Sequence, residues 1–464
     1  MAEQQTAKKF AGIEVAPDLT RKNFFFLYLN TLIMGMLMVM PAIVQPAFLQ
    51  DIIQVSPKYF GFINGFLQNM SQIATLAFVG IVGALSDKTG RKILAIIGFA
   101  VMGVFYYLFG QSVAIAAALH IPADFAAQVC ALLNFAPSKA AEFVEFAPGL
   151  LVGYLLRLIV GIGMILVYPQ FITMVADYTY EKDRGKGMAF NGMMMGLASI
   201  LIFAAVAPIG AKTGVSGLFI FAAVMAACGI AGTLLFLKER LPEIKKEEKK
   251  NFKEVCGVVM QSPAIKASCL CSLISRADIG VMATYIIAWS VLQADKLQIT
   301  SEAATKKGAV PMIIMSVVAF LSFPIIGVLL DRWGRLPTII LTLVSGGVGF
   351  ILIAFASGPF SGIVYFAVVL IGLGIAGSIA GANTMATDVS PKAMVGAVLG
   401  WLNTAQPIGM LFFLQVGGYL FDVLGPGWAF GLKGAADLLL AVFLLTISKG
   451  ISQELQTRKQ AAES

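Results

Sequence analysis

Gly83–Lys92 reads GALSDKTGRK and Gly327–Leu336 reads GVLLDRWGRL, so Gly83, Asp87, Gly90 and Arg91 return as Gly327, Asp331, Gly334 and Arg335, each 244 positions later. Both stretches follow a long apolar run and lead straight into another. A short charged link between two such runs is a hairpin between membrane-crossing helices, and its return marks an internally duplicated chain. Asp at the first place of a four-residue turn, Gly at the last, and a basic residue that stays out of the bilayer all suit that hairpin. One copy alone would be an ordinary charged loop; four residues repeated at one spacing make coincidence a poor account.

Composition agrees. The chain is 58% hydrophobic and 12% charged, with a mean hydropathy of +0.86, whereas soluble domains run near ~45–50% apolar and ~25% charged. An integral membrane protein is expected. The formal charge of +8 lies in short loops between apolar runs, which marks topology and excludes a nucleic-acid surface. Cys130, Cys228, Cys256, Cys269 and Cys271 follow no disulfide or metal-ligand spacing, so neither a metal nor a cofactor is expected. The first 23 residues (MAEQQTAKKFAGIEVAPDLTRKN) are polar and read as a tail, without the apolar core of a removable signal.

Runs long enough to span fall at roughly 24–48, 59–84, 93–115, 148–176, 187–208, 215–237, 264–293, 308–330, 336–357, 360–387, 394–421 and 428–449. Twelve helices in two six-helix halves are therefore expected in an all-α membrane protein. With the N-terminus inside, 24 Lys and Arg fall on inside segments and six outside (Lys58, Lys139, Lys212, Lys296, Lys306, Lys307), which places both termini in the cytoplasm. The chain divides into a tail (1–23), a first half (24–238), a charged linker (239–262), a second half (263–450) and a tail (451–464). In the linker Phe252, Val255 and Val259 share one helical face, as in a surface helix. Asp177 and Gly185 after the fourth span return as Asp388 and Gly396 after the tenth, 211 positions later, so the first half carries 33 extra residues. They place an insertion at about 114–147, on the outer face, as one or two short helices serving as a lid or merely as a long connection.

Gly-x-x-x-Asp-x-x-Gly-Arg between the second and third helices, echoed between the eighth and ninth, resembles the signature loop of the major facilitator superfamily. The resemblance implies a secondary transporter in which these loops gate the cytoplasmic helix ends during alternating access. Arg157-x-x-x-Gly161-x-Gly163 resembles the family's buried arginine in a cavity-lining helix, and Glu181-x-x-Arg184-Gly185 and Glu239-Arg240-Leu241-Pro242-Glu243 resemble its loop motifs. Departures narrow the subfamily. The fifth helix lacks the Gly-Pro-x-x-Gly-Gly pattern of drug/proton antiporters, the seventh lacks the paired glutamines of sugar porters, and no Pro-Glu-Thr follows the twelfth.

A charge in the bilayer costs ~2.5–3.5 kcal/mol on insertion scales, so each one asks for a partner or a task. Arg157, Arg276, Asp278, Lys433 and Asp437 fall inside expected spans. At 1.5 Å per residue Arg157 lies roughly 13 Å, and Arg276 and Asp278 roughly 18–21 Å, from a helix end, near the midplane. Arg157, Arg276 and Asp278 are the candidate substrate and coupling residues. Asp278 is offered as charge partner of Arg157, and Lys433 with Asp437, four apart, as a structural pair. Gln68, Asn69, Gln72, Asn383, Thr384, Asn403, Thr404 and Gln406 suit either cavity lining or interhelical hydrogen bonds. Gly372-x-Gly374-x-x-Gly377 imitates a dinucleotide fingerprint but sits inside an apolar span, where it serves helix packing.

The expected protein is a monomeric secondary transporter of a small solute in the inner or plasma membrane, with an organic anion as the expected solute class and protons as the expected coupling ion. A transporter fold used as scaffold or sensor is the alternative. An enzyme is not expected, with a lone histidine (His120) and no nucleophile–base pair.

Overall fold

The computed structural model describes residues 9–180, 183–240, 252–294, 296–391 and 394–463, without the side chains of Asp87, Ala207, Ala211, Phe252, Lys253, Val255 and residues 459–463. The helices are α1 (Arg21–Ala47), α2 (Phe60–Thr89), α3 (Arg91–Phe109), α4 (Ser112–Ala118), α5 (Ala123–Leu133), α6 (Ala147–Tyr178) and α7 (Arg184–Phe236). They continue as α8 (Phe252–Gln261), α9 (Pro263–Ser275), α10 (Ala277–Leu292), α11 (Ser301–Arg332), α12 (Arg335–Ala354), α13 (Gly362–Val389), α14 (Val395–Val423), α15 (Gly427–Thr446) and α16 (Ser448–Glu463). Among the described residues, twelve helical stretches are long and apolar enough to cross a membrane. Two of them lie in α7, which bends at Gly214 (φ 67°), and one is shared by α9 and α10, interrupted at Arg276. A bilayer leaves no water to satisfy backbone groups, so helices that bond internally are the form these apolar runs must take.

Contacts divide the chain into two units: Met1–Val44, Asp51–Ile53 and Ile73–Lys245 form one, and Gln45–Gln50, Gln54–Gln72 and Lys246–Ser464 the other. The second helix is thus shared, its first half belonging with the second unit. Residues 241–251 of the expected charged linker, with Glu181 of the loop motif, lie outside the described residues, as do the side chains of Phe252 and Val255.

Two local expectations change, and a third gains detail. The repeated motif is not a four-residue turn opened by Asp. Helix α2 runs through Asp87 to Thr89 and α11 through Asp331 to Arg332, and the chain reverses at Gly90 (φ 92°, ψ 150°) and Gly334 (φ 97°, ψ 163°). Only glycine occupies that region without strain, which is why it recurs at both places. The N-terminal tail is not all solvated: Lys9–Phe10 pairs with Ile13–Glu14 as a two-stranded ribbon (β1 and β2). Phe10 stacks on Phe24 and Tyr28, and the Glu14 N–H donates to Asp183 at 3.0 Å. The insertion forms α4, α5 and a short 3₁₀ turn at Pro137–Phe143, docked on the start of α6.

Close helix packing follows the small residues. A Cβ added at Gly372 would come 2.8 Å from the Met315 carbonyl oxygen, and one at Gly374 2.8 Å from the Gly346 Cα, so the fingerprint-like glycines let α13 lie against α11 and α12.

Candidate functional site

In the first unit the motif arginine is buried. Arg91 is 4% exposed and pairs with Asp177 at the end of α6. Glu239 meets the start of α3, accepting the N–H groups of Arg91 (3.2 Å) and Lys92 (2.7 Å), where orphan amide donors and the helix dipole favour a carboxylate. Arg240 donates to the Asp177 carbonyl at 3.0 Å, and Tyr178 donates to the Lys238 carbonyl at 2.6 Å. The ends of α3, α6 and α7 are thereby tied together. In the second unit Arg335 bridges Asp331 (2.6 Å) and Asp388 (2.8 Å). Asp388 is the repeat counterpart of Asp177, so one Arg–Asp pair is built in each unit. Gly83, exposed, and Gly327, half-buried, lie one helical turn before the motif aspartates, each with open space where a Cβ would be.

Arg157 sits ten residues into α6 and is 1% exposed. It lies within electrostatic reach of Tyr106 on α3, whose hydroxyl donates to the Leu37 carbonyl at 2.7 Å. Guanidinium, phenol and three helices of the first unit meet there.

Arg276 occupies the break between α9 and α10, half-buried. Its guanidinium donates to Asn383 Oδ1 (2.9 Å) on α13 and to Gln406 Oε1 (3.0 Å) and Asn403 Oδ1 (3.3 Å) on α14. These amides hold the guanidinium in place. Thr384 and Thr404 turn back on their own helices, to the Ala380 and Gly400 carbonyls at 2.9 Å. Asn69 joins helices, donating to the Leu411 carbonyl at 3.1 Å.

Asp278 points the other way along α10. The expectation that it serves Arg157 is corrected: its carboxylate pairs with Lys433 of α15. Lys433 also reaches both oxygens of Asp437 at 2.6 Å, one turn along the same helix. Lys433, Asp437 and Asp278 are 0%, 1% and 3% exposed. The ammonium lies 5.2 Å from the ring centre of Phe350 and 5.5 Å from that of Phe413, which adds cation–π attraction in a dry setting. Two carboxylates and one ammonium are thus confined inside a membrane span. An apolar cleft of about 460 Å³, lined by Leu273, Ile274, Ile408, Phe412 and Leu432 among others, carries none of these charges. Among the described residues no group of three His, Cys, Asp or Glu could hold a metal ion.

A family model described as Major Facilitator Superfamily matches residues 25–294 and again 268–462. The chain belongs to the major facilitator superfamily. The magnetosome protein MamH of Paramagnetospirillum magneticum is 26% identical to it over 91% of this chain and 92% of its own length. The magnetosome protein MamZ of the same organism is 23% identical over 97% of this chain, which spans 66% of that protein. Among solved structures, the nucleoside transporter NupG superposes with a TM-score of 0.64 at 13% identity, covering 92% of this chain and 99% of that one. A D-xylose-proton symporter gives 0.64 at 15% identity, covering 91% and 97%. At such identities these two establish the fold alone.

As a superfamily member the protein is an integral membrane secondary transporter of a small solute. Several residues of its charge clusters were not singled out as site residues from the sequence. Asp177 and Asp388 served only to register the repeat, although that shared offset is the signal that they answer Arg91 and Arg335. Glu239 was seen within a loop motif but not as the carboxylate closing α3. Lys433 was assigned to Asp437 by its four-residue spacing; nothing in the sequence says that α10 turns Asp278 toward it.

Proposed function

We propose that the protein moves a small anionic solute by alternating access, coupled to protons, with the Gly90 and Gly334 loops on the cytoplasmic side. The observation that carries the anionic reading is Arg276. A guanidinium at a helix break inside the span, steadied by three amide oxygens from two other helices, has the planar fork of donors that suits a carboxylate or phosphate. Arg157, wholly buried, is proposed as a substrate-contacting residue of the first unit. The Asp278–Lys433–Asp437 cluster supplies the coupling group. Two carboxylates against one ammonium carry one excess negative charge, and a buried excess charge is costly. Uptake of one proton neutralises the cluster, two residues along the chain from Arg276. Arg91 with Asp177, and Arg335 with Asp388, are proposed to hold helix ends in one state of the cycle, together with Asp87 and Asp331.

Proteoliposomes loaded with a panel of labelled organic anions test this. Saturable uptake of at least one anion, driven by an imposed pH gradient and lost in Arg276→Lys, is expected; uptake confined to neutral or cationic solutes, or unaltered in that variant, overturns the anionic reading.

The likeness to two magnetosome proteins over nine-tenths of the chain supports a second reading, of place: residence in a magnetosome membrane rather than the general cell membrane. A fluorescent fusion expressed in a magnetosome-forming bacterium should then follow the magnetosomes. An even signal around the cell periphery would return it to the inner membrane.

A further inference from the structure

We infer that the insertion at 112–143 is a hairpin seated in the lipid headgroup–acyl boundary, on the side of the membrane opposite the Gly90 loop, binding phospholipid through a dedicated apolar strip. Its docking on the protein comes first. Helix α5 buries Ala126, Ala127, Cys130 and Ala131, small residues that let it lie close against α6. The Cys130 thiol donates to the Ala147 carbonyl at 3.6 Å, and Asn134 donates to the Tyr154 hydroxyl at 2.9 Å. The segment is therefore a fixed part of the first unit.

What remains of α5 sorts into two further arcs. At roughly 100° per residue, Ala126, Cys130, Ala127 and Ala131 fill an arc of about 140°, Asp124 and Gln128 a narrow one beside it, and Phe125, Leu132, Val129 and Leu133 the rest. Leu132 is 64% exposed and Phe125 57%; Leu119 and Phe135, flanking the helix, are 66% and 76%. One arc faces protein and one is polar. The third is large, apolar and uncovered, and that three-way division is the pattern of a helix lying in a membrane interface.

Its level in the bilayer follows from α3. Nineteen residues give about 28 Å, just the thickness of the hydrocarbon layer. The chain therefore leaves α3 at the edge of the acyl region, and α4 starts three residues later. Exposed apolar side chains stand on the elements either side of that point: Val104 (55% exposed) and Tyr107 on α3, Val113 on α4 and Leu155 (57%) on α6. Val104 and Leu155 lie inside candidate spans, where lipid is their cover, and the exposed apolar residues of the hairpin follow directly on the end of α3.

Purified protein in vesicles of phosphatidylcholine and phosphatidylglycerol, doped with a phospholipid bearing a photoreactive diazirine near the headgroup, tests the inference without altering the chain. After irradiation and peptide mapping, adducts are expected on Phe125, Leu132 and Phe135 as well as on Val104 and Leu155, with Asp124 and Gln128 spared. Adducts on Val104 and Leu155 but none on the hairpin would overturn it. So would protein–protein crosslinks at Phe125 and Leu132 with a bifunctional diazirine reagent in place of lipid adducts, since a second chain would then cover the strip.

Discussion

Gly90 and Gly334 show how a single residue type is dictated by backbone geometry and its neighbours. Both hold the same left-handed, extended conformation, which costs other residues about 1–3 kcal/mol. A Cβ at Gly90 would also come 3.0 Å from Glu239 Oε2, whereas at Gly334 the nearest atom is Pro337 Cδ at 3.8 Å. Gly90→Ala should therefore lower the detergent-solubilised melting temperature more than Gly334→Ala; equal effects would show that Glu239 does not close the turn. Lys433 is governed by charge. Lys433→Met strands Asp278 and Asp437 without their cation and should destabilise by ~3–5 kcal/mol, while adding Asp278→Asn and Asp437→Asn should restore most of it. A triple variant no more stable than the single one would mean the ammonium matters for packing alone. The four motif residues and the Lys433–Asp437 pair were legible because repeats and helical period are written along the chain. The partner of Asp278 was not, because it depends on how α10 and α15 are rotated against each other.

At the scale of elements, spans were legible from apolar length, and the insertion from the change in repeat offset. Docking surfaces were not. Asp422, at the far end of α14, took no part in the sequence reading, yet its carboxylate accepts the N–H groups of Gly61 (2.7 Å) and Phe62 (2.8 Å) in the first turn of α2. Small residues allow this approach: a Cβ at Gly418 would lie 2.6 Å from the Gly61 carbonyl oxygen. The first half of α2 is thus fastened to α14 by a carboxylate on a helix N-terminus, an arrangement worth roughly 0.3–1 kcal/mol from the dipole and more for the charged hydrogen bonds. Asp422→Asn keeps the shape and removes the charge. Cysteines placed at Gly61 and Asp422 neighbours should then react faster with a water-soluble maleimide, as the seam opens more often. Labelling rates equal to those of the wild-type background would show that glycine packing alone holds the seam.

For the molecule as a whole, duplication supplies two copies of one device in two environments. The Arg91–Asp177 pair has side chains only 5% and 9% exposed, and the Arg335–Asp388 pair 25% and 41%. A buried pair that loses one partner leaves a stranded charge, at ~3–5 kcal/mol, whereas an exposed pair contributes ~0–1 kcal/mol. The copies should therefore separate stability from gating. Asp177→Asn is expected to lower expression and melting temperature, so its loss of transport would be uninformative. Asp388→Asn should fold and melt like the wild type. If Arg335 and Asp388 hold helix ends together in one state of the cycle, Asp388→Asn nonetheless shifts the balance of states and slows gradient-driven uptake, with Asp331→Asn slowing it similarly. Wild-type uptake rates in both variants, in vesicles where Arg276→Lys is inactive, would confine the repeated motif to membrane topology and leave the transport cycle to the residues inside the spans.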